Sequence, residues 1–464
     1  MHLSRYLKAY PAKDRPDHFL LFSTLRCSMA QVSGATLRGI ESGTASEAER
    51  EALTRLGMLV PDRDAEKEQM RGVLERVRSR SRNFKTMVVL NLDCNLNCGY
   101  CYEADFRGGH YMSAETADLL VETLLRDRIS KGWDVTVSFY GGEPLLSLDL
   151  ICRISEPLLQ GARSHGVSYS FNLVSNGTLL NRETAQMLLP LGLNGAKFTL
   201  DGPREIHDVE RPYASGAGSF DTIADNIAEI WDIVPIVLGG NFRPENYRDF
   251  PRLLDQLSAR GITGEKLTHV LFTPVIPKSG CSEYTSGCVS SDEPWLIEAM
   301  LYLRKEILAK GFRTTKPTVA ACIVELEDNL VVNCEGEFYK CPALMGWQGL
   351  SVGNLSDGVK EYGKSHCIGN WQKEECLECS YLPLCFGGCR FLTLLQGKEM
   401  HEVDCRRGFF DAALEEMLQQ NRACTPVQKK GSTAPMAAPP PDTDIPQEKT
   451  PGGGIPPSHE TPPY

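Results

Sequence analysis

The 464-residue sequence has no apolar run long enough to cross a membrane; stretches such as Met87 to Leu90 are the size of a strand. Its opening, MHLSRYLKAYPAKDRPD, lacks the apolar core of a signal peptide. Positive charge is short as well: 49 Lys and Arg stand against 60 Asp and Glu, for a net charge of −11, and no basic stripe is present to neutralise phosphates. These absences lead us to expect a cytoplasmic globular protein with no membrane and no nucleic-acid partner. The length calls for two or three domains. Cysteine, by contrast, is plentiful. The 17 cysteines are odd in number and clustered, which in a reducing compartment reads as metal ligation rather than disulfide pairing.

By pattern the chain divides into four stretches. Residues 1 to about 85 read as a small α+β module: HFLLFST and SMAQVS resemble paired strands, TLRGIES and SEAEREALTRLG resemble helices, and Ser46 with Glu49 makes a capping box. A charged helix, DAEKEQMRGVLERVRSRS, leads onward. The module is either a covering extension or a winged-helix-like unit that binds a peptide by strand addition. Residues 86 to about 315 alternate six strand-like runs, MVVLNLD, DVTVSFY, YSFNLVS, GAKFTLD, VPIVLGG and THVLFTP, with segments of helical spacing. Short continuous apolar strands of this kind fit burial on both faces. This predicts an α/β fold, a partial (β/α)6 TIM-like barrel, although a doubly wound sheet has the same alternation. In either architecture ligands sit at the carboxyl ends of the strands. Residues 316 to about 410 are rich in cysteine and glycine and poor in apolar periodicity, which predicts a metal-stabilised C-terminal domain. The tail, 425–464, holds 11 of the 28 prolines and is expected to be disordered.

The chemistry-bearing motifs fall at the predicted strand ends. Directly after the first strand, LDCNLNCGYCYEA places Cys94, Cys98 and Cys101 on one short loop. A closed zinc or iron-sulfur site wants four ligands, so three thiolates describe either a cluster with one open iron or a zinc site completed from elsewhere. After the second strand come Gly141, Gly142 and Glu143, two residues that let backbone approach a ligand and one carboxylate able to accept from an ammonium group. After the third come Ser175, Asn176, Gly177 and Thr178, small polar groups suited to ribose hydroxyls. In order, these describe a pocket for an amino acid joined to a nucleoside.

With these residues in view the sequence resembles the radical S-adenosylmethionine (SAM) enzymes: CNLNCGYC matches their C-x3-C-x-aromatic-C loop with Tyr100 at the aromatic position, and GGEP and the serine after the third strand match too. The resemblance implies that Cys94, Cys98 and Cys101 ligate a 4Fe-4S cluster whose open iron binds the amino and carboxylate groups of SAM. Gly142 and Glu143 would hold the amino group, Ser175 the ribose, with Gly141 and Asn176 beside them. LDGPREIHDVERPYASGAGSFDTI is similar to the peptide- and protein-modifying subgroup, in which Arg211 would contact the carboxylate. GGNFRPEN departs from the family's usual pattern after the fifth strand, so no role is assigned there. Farther on, Cys322, Cys341, Cys376, Cys379, Cys385, Cys389 and Cys405 reproduce the seven-cysteine signature of the SPASM domain. By that resemblance Cys376, Cys379, Cys385 and Cys405 close one auxiliary 4Fe-4S cluster, and Cys322, Cys341 and Cys389 hold another, with Cys334, Cys281 and Cys288 as candidates for its fourth ligand. Zinc knuckles are the alternative for such spacings in isolation.

The implied activity is reductive cleavage of SAM to a 5'-deoxyadenosyl radical that modifies a ribosomally made precursor peptide by an oxidative crosslink such as a thioether. Flavodoxin or ferredoxin would be the electron donor. In the family's sulfatase-maturating branch, which makes formylglycine, the cysteine at the position of Cys341 is followed by a catalytic Asp; here Pro342 follows. The opening of the chain resembles that of geopeptide maturases, which favours the peptide branch. A third expectation, of another class, is a non-catalytic protein stabilised by zinc at all three cysteine groups.

Overall fold

Strand-sized apolar runs separated by helix-length connections can pair only in parallel, and whether they curl into a barrel or reverse into a doubly wound sheet depends on their order. The computed structural model describes residues 1–75, 82–101, 103–275 and 293–424. The N-terminal region supplies β1 (His2–Leu3), β2 (Leu7–Pro11), β3 (His18–Ser23), β4 (Ser28–Ser33) and β5 (Leu59–Val60). The six expected strands follow as β6 (Asn83–Asn91), β7 (Asp134–Gly141), β8 (Tyr169–Val174), β9 (Leu193–Thr199), β10 (Ile236–Phe242) and β11 (His269–Pro274). They lie side by side in sequence order, each parallel to its neighbours. An order without reversal is that of a partial barrel, not of a doubly wound sheet.

Two features of this sheet depart from expectation. First, the strands are not uniformly apolar: along β7, Val135, Val137 and Phe139 are buried while Thr136, Ser138 and Tyr140 between them are only half-buried. One face packs on helices and the other lines a lumen, so alternation rather than a continuous apolar run is what the geometry needs. Second, the cysteine-rich segment is not a separate layer. Its hairpin, β12 (Asn329–Val332) and β13 (Phe338–Tyr339), extends the barrel sheet, with β12 parallel to β6. Val332, Cys334 and Phe338 thereby join the main core. On the outer face, Leu120 and Leu124 of helix Ala114–Asp127 and Ile151, Ile154 and Leu158 of helix Leu148–His165 present residues at helical spacing to that same core.

In the N-terminal region β2, β3 and β4 form an antiparallel sheet and β1 pairs with β5. The sequence showed β3 and β4 but not β2, an edge strand that ends in a proline and carries little alternation. Ser46 and Glu49 form the expected capping box ahead of helix Glu47–Arg55. The charged helix begins as Arg63–Arg71; residues 76–81, Cys281, Cys288 and the tail 425–464 lie outside the described residues. Among the described residues no helix is long and apolar enough to cross a membrane.

Residues Met1–Pro426 form one compact unit, because the N-terminal module and the cysteine-rich segment share apolar clusters. Tyr6 is fully buried among Trp371, Leu377 and Phe386, and its hydroxyl donates to the Leu377 carbonyl at 3.1 Å. Leu20 and Phe22 of β3 pack with Phe410, Leu414 and Leu418 of helix Arg407–Cys424. Truncating Tyr6 to Ala is expected to destabilise the protein by about 3–5 kcal/mol and Tyr6→Phe by about 1 kcal/mol. Thermal unfolding of the two variants checks the order.

Candidate active site

The three-thiol loop leaves β6 at Asn91, whose side-chain amide donates to the Glu143 carbonyl at 3.0 Å and to Ser147 Oγ at 2.8 Å, joining the ends of β6 and β7. The loop is clamped on its other side: Asn97 N–H donates to the Pro212 carbonyl at 2.8 Å and Ala214 N–H to the Asn95 carbonyl at 2.9 Å. Cys94, Cys98 and Cys101 line one cavity of about 630 Å³ at the carboxyl ends of the strands. Burial pushes the Cys98 thiol up to about 11. Three thiols lining one cavity are suited to a cationic iron-sulfur group, which stabilises their thiolates.

Gly141 and Gly142 line the same cavity, and the structure gives them a packing role as well. A Cβ on Gly141 would stand 2.1 Å from the Asn91 carbonyl oxygen, and one on Gly142 would stand 2.2 Å from that of Asp93. The glycines therefore admit the backbone that carries the cysteine loop. Glu143 lies behind the wall, fully buried. Its carboxylate accepts from Ser175 Oγ at 2.9 and 3.1 Å, from Asn176 N–H at 2.8 Å and from Leu145 N–H at 3.1 Å. Burial raises its pKa to about 7 against these bonds. Glu143 is the post on which the Ser175–Asn176 turn stands. From that turn Asn176 reaches back to the loop, donating to Asn95 Oδ1 at 2.7 Å and to Cys94 Sγ at 3.6 Å.

Tyr100 and Arg211 also meet at the cavity, in a network that sequence reasoning did not assign. The Tyr100 hydroxyl donates to Asp201 and accepts from Arg211 Nη1 at 2.5 Å and from Asn241 Nδ2 at 3.0 Å, while Arg211 and Asp201 pair at 3.6 Å. Asp201 follows β9 as the LDG turn and Asn241 sits on β10 within GGNFRPEN; position at a barrel strand's carboxyl end was the available signal for both. Behind Arg211, buried His207 accepts from Asp201 N–H at 3.0 Å and bonds Ser219 Oγ at 2.9 Å, and that hydroxyl donates to the Arg211 carbonyl at 2.7 Å.

The structure brings the seven C-terminal cysteines together in two groups. Burial pushes Cys341 up to about 12, with Cys322 and Cys389 adding to the effect. Burial likewise pushes Cys385 up to about 12, with Cys379, Cys376 and Cys405 adding. Cys334 is buried in the barrel core with its thiol 3.4 Å from Glu335. Among the described residues no three His, Cys, Asp or Glu side chains converge as a site for a single metal ion requires. Leu392, Arg406 and Phe409 place the cysteine-rich segment in the wall of the same cavity as the first loop.

Desolvation lowers His207 to about 3, below its unfolded value of about 6.5. The unfolded chain therefore binds a proton that the folded chain refuses, so this contribution is complete above pH ~6.5 and is lost as pH falls toward ~3. Glu143 acts with opposite sign between its two values, which makes subtraction necessary. The stability difference between wild type and His207→Gln is expected to shrink as pH falls from about 6.5 to about 5, measured by thermal unfolding.

Residues 88–257 match the Radical SAM superfamily. Among curated relatives, Fe-coproporphyrin III synthase of Methanosarcina barkeri is 28% identical over 245 residues, 52% of this chain and 56% of that protein. A cysteine-type anaerobic sulfatase-maturating enzyme of Clostridium perfringens is 24% identical over 341 residues, 64% of this chain and 86% of that protein. Among solved structures, anSMEcpe with bound AdoMet has a TM-score of 0.58 at 19% identity, covering 73% of this chain and 99% of that one. Streptococcus suis SuiB bound to precursor peptide SuiA has a TM-score of 0.51 at 13% identity, covering 87% and 98%. The fold, the three-thiol loop at the first strand end and the match over residues 88–257 agree that this part of the chain is a radical SAM domain.

Proposed function

We propose that this protein is a radical SAM peptide maturase acting on a ribosomally made precursor peptide and installing an oxidative crosslink such as a thioether. The observation that carries the reading is the single cavity walled both by the three-thiol loop and by the cysteine-rich segment on which the N-terminal module is docked. Cys94, Cys98 and Cys101 would hold a 4Fe-4S cluster, which would supply the electron for reductive cleavage of SAM. The chain's own residues prepare the site for that chemistry. Glu143 fixes the Ser175–Asn176 turn for the ribose, and Gly142 offers backbone beside the methionyl amino group. Tyr100 and Asp201, themselves bonded to Asn241, hold the Arg211 guanidinium, a partner for the carboxylate. Val275, Leu296, Met300 and Phe409 give the opposite wall an apolar surface that excludes water from a radical site. Cys376, Cys379, Cys385 and Cys405, and separately Cys322, Cys341 and Cys389, would hold two auxiliary clusters. Flavodoxin or ferredoxin would donate the electron.

Sulfatase maturation is the second reading, favoured by the relationship to the Clostridium perfringens enzyme. Against it, Pro342 follows Cys341 at the start of the short helix Pro342–Leu344, where the resemblance to that branch calls for an Asp. The N-terminal sheet favours a peptide: β2 and β4 are both edge strands, suited to strand addition.

Anaerobically reconstituted protein given SAM and dithionite is expected to yield 5'-deoxyadenosine, and Cys94→Ala to abolish it. Zinc at the cysteines with no nucleoside product would overturn the reading. A short cysteine-bearing peptide encoded beside the gene is expected to lose two hydrogens per crosslink by mass spectrometry. Modification of a sulfatase peptide alone would move the assignment to the second reading.

A further inference from the structure

Lys197 lies on β9 and lines the cavity together with Thr199 of the same strand and Asn241 and Thr273 of the next two. The other cations there have acids near them: Arg211 pairs with Asp201 at 3.6 Å and Arg406 with Asp404 at 3.2 Å, and Arg107 lies close enough to Asp93 to help lower its pKa. Desolvation alone lowers the pKa of Lys197, with no carboxylate offsetting it. The neighbouring strand is shaped around its stem. A Cβ on Gly239 would stand 3.0 Å from Lys197 Cε, so the first glycine of GGNFRPEN leaves the space across which the lysine reaches. That motif was given no role from sequence.

The Lys197 side chain is exposed to the lumen without an acid beside it, so an anion entering the cavity meets a free ammonium group. SAM does not relieve the imbalance, because its sulfonium and ammonium charges outnumber its one carboxylate. Arg211, held at the far side of Tyr100, is already placed for that carboxylate. We propose that Lys197 is the carboxylate-binding group for the substrate, so that the peptide residue presented to the lumen carries or adjoins an Asp, Glu or C-terminal carboxylate. This deepens the peptide-maturase reading and rests on it. Thr199 supplies a hydroxyl on the same strand face, and Gly239 sets the reach of the lysine.

The test uses reconstituted holoenzyme saturated with SAM and left unreduced, so that no turnover occurs. N-acetyl-L-glutamate methylamide is titrated by ligand-observed NMR against the neutral N-acetyl-L-glutamine methylamide. Wild type is expected to bind the glutamate derivative more tightly, and Lys197→Met to weaken it about tenfold while leaving the glutamine derivative unchanged. Lys197→Arg is expected to retain the preference. Gly239→Ala, which crowds the lysine without removing its charge, is expected to weaken the glutamate derivative in the same direction. Unchanged SAM affinity in Lys197→Met supports the proposal; a loss there assigns Lys197 to the methionyl carboxylate and overturns it. No preference for the glutamate derivative in wild type, or no binding of it, also overturns it. Failure of the wild-type enzyme to make 5'-deoxyadenosine would defeat the broader reading, while the binding titration would still report on Lys197.

Discussion

The cavity depends on a contact in which no side chain takes part. The end of β7 passes so close to the carbonyls of Asn91 and Asp93 that neither Gly141 nor Gly142 has room for a methyl group. That approach fixes the backbone from which the three-thiol loop departs. It also delivers Glu143 into a fully buried position, where its two oxygens are used on the Ser175–Asn176 turn. Two strand ends and one loop are thereby held as a single object. A cluster and a nucleoside bound there would meet groups already in place, which is the form electrostatic preorganisation takes.

Charge follows the same plan. The buried ionisable groups around the loop are tied into networks: Arg211 with Asp201, Tyr100 and Asn241, and Glu143 with three donors. Near the C-terminal cysteines, Arg390 and Glu325 form a wholly buried ion pair, with Gly369 N–H donating to the same carboxylate. A pair of this kind is weak evidence for stability but fixes which backbone segments meet, because removing one partner leaves a buried charge. Lys197 differs from these groups in facing the lumen without an acid, and this sets it apart as a group for a ligand rather than for the fold.

The N-terminal module, the barrel and the cysteine-rich segment share apolar clusters. A segment with few apolar residues of its own gains stability by adding β12 to the barrel sheet and by surrounding Tyr6 and Phe22 of the N-terminal module. Cysteine spacing arranges thiols locally, and the neighbouring regions supply the burial that the segment lacks.

The sequence by itself determined the elements that rest on local periodicity and spacing: six strands with their crossover helices, the capping box at Ser46, and Cys94, Cys98 and Cys101 after the first strand. Those signals lie within a few residues of one another, so one sequence carries them. Tertiary structure alone decided what depends on neighbours far along the chain. It set the unreversed strand order, turned Glu143 toward Ser175 and Asn176, and brought Asp201 and Asn241 to Tyr100. It also placed Cys334 in the barrel core. Asp201 and Asn241 carry no motif that their own surroundings could display; their meaning arises only where β9 and β10 end beside each other.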